Sequence, residues 1–125
     1  MRTTDGTADV AYRRILITTD FSDGTQEALD YAFGIAQRNH SQVTLLHVVQ
    51  DEDIDLSARD RNSLMKAARK ELDDLVPADA RRVCRVLTKV EIGLPYRTVL
   101  RTLEKVKPDL VVMNDNDQSM LDRTA

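Results

Sequence analysis

The chain has 125 residues, a formal net charge of −3, 42% apolar and 31% charged residues. That length suits one domain with a core of its own and leaves no room for a second. The negative balance argues against nucleic acid, which needs a basic surface, and no apolar run approaches the roughly 20 residues of a membrane span. Residues 1–11 are polar, lack the apolar core of a secretory signal and read as a flexible tail, with the single domain over 12–125. One cysteine, Cys84, cannot form an internal disulfide, so the reducing cytoplasm is the expected compartment.

The first ordered segment, Arg14-Ile15-Leu16-Ile17-Thr18-Thr19, is a β-branched apolar run suited to a central strand buried on both faces. After Asp20-Phe21-Ser22, residues Ala28, Leu29, Ala32, Phe33, Ile35 and Ala36 recur near helical spacing, with Ser22 the expected N-cap and Asn39 the expected stop. Residues 42–49 repeat the buried-strand pattern, and the acidic stretch 50–55 reads as a loop. Leu64, Ala68, Leu72 and Leu75 form an i, i+4 stripe for a second helix, opened by a Ser57/Asp60 capping box and closed at Pro77. Its alternating charges between Arg59 and Arg82 are those of a solvated face.

Over 83–92, Cys84, Val86, Thr88, Val90 and Ile92 alternate with Arg85, Leu87, Lys89 and Glu91, the pattern of a half-exposed edge strand. Beyond Gly93 and Pro95, residues Tyr96, Val99, Leu100, Leu103 and Val106 keep helical period, and Pro108 punctuates before a last strand at 109–113. Strands alternating with helices imply right-handed crossovers and a parallel sheet covered on both sides, so an α/β three-layer sandwich of strand order 3-2-1-4 is expected. A ligand would then meet Thr19, Asp20, Met113 and Asn114 at the switch point between the first and fourth strands.

The pieces 14–22, Ala28-Leu-Asp-Tyr-Ala32 and Thr44-Leu-Leu-His-Val-Val49, followed by Gly93-Leu-Pro95 and Asp109-Leu-Val-Val-Met113, resemble the universal stress protein family in order and spacing. The resemblance implies a nucleotide-binding-like fold of the adenine nucleotide alpha hydrolase-like type, usually dimeric, with some members binding ATP and others not. It also implies that Thr18, Asp20, Val48 and Met113 face adenine and ribose. ATP-binding members look like Gly-x-x-Gly after the fourth strand, then Gly-Ser or Gly-Thr. Bare backbone amides cradle the phosphates there, because such turns need positive φ and close approach. Here Asn114 and Asp117 stand at the two glycine positions. Asn114 can turn left-handed at modest cost, but Asp117 brings a negative charge beside phosphate. The rest of that loop and the family's fifth strand lie beyond Ala125, so the fourth strand is expected to be an open edge that pairs with a second copy or is covered by 119–125.

Other chemistries fit less well. Asp115, Asp117 and Ser119 begin like a calcium loop, but Met120 stands where the turn glycine belongs. A phosphoryl-accepting Asp is missing from the third strand's end, His47 in its apolar strand reads as a satisfied core histidine, and Cys84 as a small core residue. Asp20 has two readings, a nucleoside contact or a cap on the first helix together with Ser22. For Val48 and Met113, core packing is the leading reading. The expectation is therefore a non-enzymatic stress-response or signalling module acting through protein contacts. Its vestigial pocket comprises Thr18, Asp20, Val48, Met113, Asn114 and Asp117. A homodimer or other oligomer and an unknown protein partner are expected, with no nucleic acid, membrane, metal or cofactor. An ATP- or AMP-binding sensor with slow or no hydrolysis is the alternative.

Overall fold

The computed structural model describes residues 11–50 and 57–114. In chain order these form β1 (Arg14–Thr19), α1 (Thr25–Asn39), β2 (Gln42–Gln50), α2 (Ala58–Leu75), α3 (Ala78–Val83), β3 (Arg85–Gly93), α4 (Pro95–Val106) and β4 (Leu110–Asn114). The strands make one parallel sheet in the order β3-β2-β1-β4, as the alternation of strands and helices requires. Ile15 pairs with Val43 on one side and Leu110 on the other, which makes β1 the central strand. All its residues after Arg14 are buried, as its β-branched run demands.

Strand alternation sends Ile15 and Ile17 to one face, where Val43, Leu45, Leu29, Phe33 and Leu72 join them in the larger core. Leu16 and Leu46 point to the other face and pack with Val99, Val48 and Leu103 beneath α4. The layers are unequal. α1, α2 and α3 serve the first face, and α4 alone, among the described residues, serves the second. Val111 and Met113 on β4 and Leu87 on β3 therefore keep 36%, 38% and 46% of their surface exposed.

Several local expectations need correction. Ser22 does not cap α1: Gly24 is the N-cap, in a left-handed conformation at φ 91°, where a side chain would be strained. Ser22 instead offers its carbonyl to the N–H and hydroxyl of Thr25, at 3.2 and 2.6 Å, while its own hydroxyl is buried without a protein partner. Asn39 does end α1, with His40 as the left-handed C-cap. The strand expected from residue 83 starts at Arg85, because Pro77 both ends α2 and opens the short helix α3, whose Ala80 is buried in the larger core. Cys84 caps that helix and lies in the core rather than in the strand. Ser57 accepts the Asp60 N–H as expected, but Leu64, Tyr96 and Leu100 of the apolar stripes stay partly exposed outside the core. On α4 the threonines Thr98 and Thr102 take buried places, and the Thr102 hydroxyl donates to Thr98 O at 2.8 Å. Gly93 is required at its place, since a Cβ there would come 2.8 Å from Thr98 Oγ1.

The start of β4 is fixed to β1 by one carboxylate. Asp109 Oδ2 accepts the N–H groups of Arg13 and Arg14 at 2.7 and 2.9 Å, and the Asp109 N–H donates to Arg14 O. The Arg14 and then the Arg13 N–H hold its pKa below the usual carboxylate value, helped by the two arginine charges. A depressed folded pKa means that this stabilisation is present above the unfolded value, about 3.9, and is lost as pH falls through the folded one. Asp109→Ala is expected to lower unfolding stability in urea at neutral pH, with the gap to wild type narrowing at acid pH as the carboxylate is protonated. An equal gap at both pH values would assign the effect to packing.

Candidate ligand pocket at the sheet switch point

At the carboxyl ends of β1, β2 and β4, on the face that α4 covers, the described residues bound a pocket of about 80 Å³. It brings together Thr18, Asp20, Val48, Met113 and Asn114, five of the six residues singled out from sequence. The sixth, Asp117, lies outside the described residues, as do Asp115 and Ser119 of the calcium-loop reading and residues 51–55 of the expected loop. Leu46 and Val99 supply apolar wall, while Gln50 and Pro95 flank it. Sequence reading missed these four, although the Gly93-Leu-Pro95 motif marks where α4 enters against the sheet. A volume of about 80 Å³ is well under the roughly 300 Å³ of the smallest ordinary ligand pockets.

The chemistry of the wall is neutral and hydroxyl-rich apart from Asp20. Thr18 Oγ1 is buried and has no protein partner, a condition that ordinarily costs about 1–3 kcal/mol. Asp20 does not cap α1. Its Oδ1 accepts the Ser22 N–H at 3.0 Å, closing an Asx turn, and the side chain stays exposed at the pocket mouth.

Behind the pocket lies a small polar network. The Thr25 hydroxyl donates its only proton to Ser22 O, so at 3.2 Å from Thr19 Oγ1 it must accept from that hydroxyl. Thr19 Oγ1 in turn accepts the Phe21 N–H at 3.0 Å. The Asn114 carboxamide donates to Thr25 Oγ1 at 2.6 Å and leans on Thr19 Oγ1 at 3.5 Å, while Asn114 O accepts the Asp20 N–H at 3.2 Å. Asn114 thus remains an extended β4 residue and ties that strand to the first turn of α1. It makes no left-handed phosphate turn, since the only non-glycine positive φ angles among the described residues are at Phe21, His40 and Lys107. Thr25, the hub, was not foreseen; the Asp23-Gly24 pair before it was the available signal.

Phe21 is the strained member of this turn, at φ 62°, a conformation that costs a bulky residue of order 1–3 kcal/mol. Its ring packs on His47 at a centroid distance of 4.3 Å, and His47 Nδ1 donates to Thr19 O at 2.8 Å. His47 is the satisfied histidine its strand implied. Burial pushes the Cys84 thiol pKa up, which suits a core residue and not a nucleophile. Among the described residues no group of three or more His, Cys, Asp or Glu could hold a metal ion, and no helix is long and apolar enough to cross a membrane.

The model of the universal stress protein family matches residues 11–125. The chain is 27% identical over 118 residues to a universal stress protein, MJ0531, of Methanocaldococcus jannaschii, covering 90% of this chain and 69% of that protein. Among solved structures it is similar to the universal stress protein UspA of Lactobacillus plantarum, with a TM-score of 0.63, 27% identity and coverage of 87% and 83% of the two chains. The hypothetical protein MJ0577 shares the fold at a TM-score of 0.74 and 22% identity, over 86% of this chain and 80% of that one. A universal stress protein in complex with cAMP does so at 0.61 and 24%, over 82% and 75%. With the sheet order, the switch-point pocket and a match over nearly all of its length, the chain belongs to the universal stress protein family.

Proposed function

We propose that the chain is a cytoplasmic, non-catalytic stress-response module that works through protein contacts and does not bind ATP tightly. The observation that supports this most is Asn114, which stands at the first glycine position of the family's phosphate loop. Its carboxamide is committed to Thr25, and its backbone is extended in β4. A phosphate-cradling turn there would need both to be released, at about 1 kcal/mol for the hydrogen bond alone. Asp117 adds a like charge at the second glycine position.

A second reading, an adenine-nucleotide sensor, draws on the unpartnered Thr18 hydroxyl and on the similar protein solved with cAMP. The two combine in a pocket that keeps weak affinity for the nucleoside part of a ligand while contributing little toward triphosphate. Calorimetric titration with ATP and AMP, with and without magnesium, is expected to show no submicromolar binding, and submicromolar ATP binding would give the protein to the sensor reading. In the same experiment Thr18→Val is expected to weaken any residual binding while leaving unfolding stability equal or higher, because it removes a buried, unsatisfied hydroxyl.

Self-association belongs to the same proposal. β1 is the one neighbour of β4 among the described residues, and Val111 and Met113 are exposed beside that edge. The strand carries neither lysine nor proline, two of the usual guards against pairing with another chain. Sedimentation equilibrium is expected to give a dimer that Val111→Pro, at an N–H turned away from β1, dissociates; a wild-type monomer at high concentration would remove this part of the reading.

A further inference from the structure

The helix-poor face of the sheet carries a second concavity, at the end away from the nucleoside pocket. It is a groove of about 340 Å³ between α4 and β3, with Arg14, Lys89 and Lys105 around its rim and Leu87, Thr44 and Val106 in its floor. The sheet register sets Arg14, Gln42 and Arg85 in one row on this face, directly before the row of Leu16, Thr44 and Leu87. Three cationic side chains from β1, β3 and α4 therefore line the groove with one apolar residue, Leu87, which keeps 46% of its surface exposed, and Arg85 stands two residues before it on the same face of β3.

Nearby acids are already engaged. Asp109 is spent on the N–H groups of Arg13 and Arg14, and Glu91 faces Arg101 at 3.5 Å. The groove on the opposite face of β3 differs: its Lys66, Arg69 and Lys70 share the wall with Asp73, and Lys70 is paired with Asp74 at 3.0 Å. Lysines beside an edge strand commonly serve to prevent aggregation, and Lys89 fits that role. Arg14 on the central strand and Lys105 on the helix do not guard an edge, so protection leaves them unexplained.

We propose that this groove docks an acidic peptide segment of a partner protein, with an apolar side chain of that segment seated on Leu87 and its carboxylates on Arg14, Arg85, Lys89 and Lys105. Charge complementarity selects the occupant, since the cluster is cationic in a chain of net charge −3. Among the described residues the groove has no aromatic side chain on which a base could stack, which favours a peptide over single-stranded nucleic acid. The inference rests on the reading that the protein works through protein contacts, but it uses no residue of the nucleoside pocket.

The test is fluorescence anisotropy with a labelled short peptide of Glu and Asp carrying one central Leu, in nucleotide-free buffer, so that failure here is separate from failure of the pocket reading. Saturable binding is expected, weakened about tenfold or more by Lys89→Glu/Lys105→Glu and by Leu87→Ser, each checked for wild-type circular dichroism. Lys66→Glu/Arg69→Glu on the other face is expected to leave it unchanged. The proposal is overturned by absence of saturable binding, by equal loss in the two charge-reversal variants, by equal affinity for a peptide with Ser in place of Leu, or by tighter binding of a single-stranded oligonucleotide.

Discussion

The contact on which the architecture turns is the hydrogen bond from Asn114 to Thr25, backed by Thr19. It joins the end of β4, the end of β1 and the first turn of α1 at the one point in an open parallel sheet where crossovers on either side separate. That separation opens a crevice whether or not anything binds there. In this chain it is held by neutral hydroxyls and a carboxamide, and the residue that could have begun a phosphate loop is part of the brace. The same interaction holds the pocket wall and, on the proposed reading, weakens its claim on phosphate.

Around that point the molecule is asymmetric. Among the described residues, three helices bury one sheet face and a single helix covers the other, so the larger core carries the fold while the second face is left with apolar and cationic groups in solvent. Everything with functional promise lies on the lightly covered side or at its rim: Thr18, Val48 and Met113 in the pocket, Val111 at the β4 edge, and the cations around Leu87. A face covered by one helix has area to spare for ligands and partners. The strained Phe21 turn, held by His47, lies at the strand ends on the other face, packed against the larger core.

Much of this was legible in the residues themselves. Continuous β-branched runs identify the buried strands, the alternation over 83–92 identifies an edge, and strand–helix alternation fixes parallel topology, because these signals come from burial periodicity, which the fold cannot escape. Local hydrogen-bond choices were less legible. Ser22 and Gly24 both suit an N-cap, and the left-handed geometry open to glycine decided between them. Pro77 signals an end and a beginning with equal force, so α3 went unseen. The pocket residues were legible as a family pattern, yet nothing in spacing told that Asn114 would face Thr25 rather than turn outward. That choice depends on two side chains brought together across 89 residues of sequence.

On the proposed reading this pocket recognises at most the nucleoside end of a ligand. The ratio of ATP to adenosine affinity, measured from amide chemical-shift titrations read at Thr18, Thr19, Asp20 and Val48, tests it. A ratio near one is expected, with both ligands weak and shifting the same amides. ATP binding about a hundredfold tighter than adenosine, close to 3 kcal/mol of phosphate recognition, would contradict it.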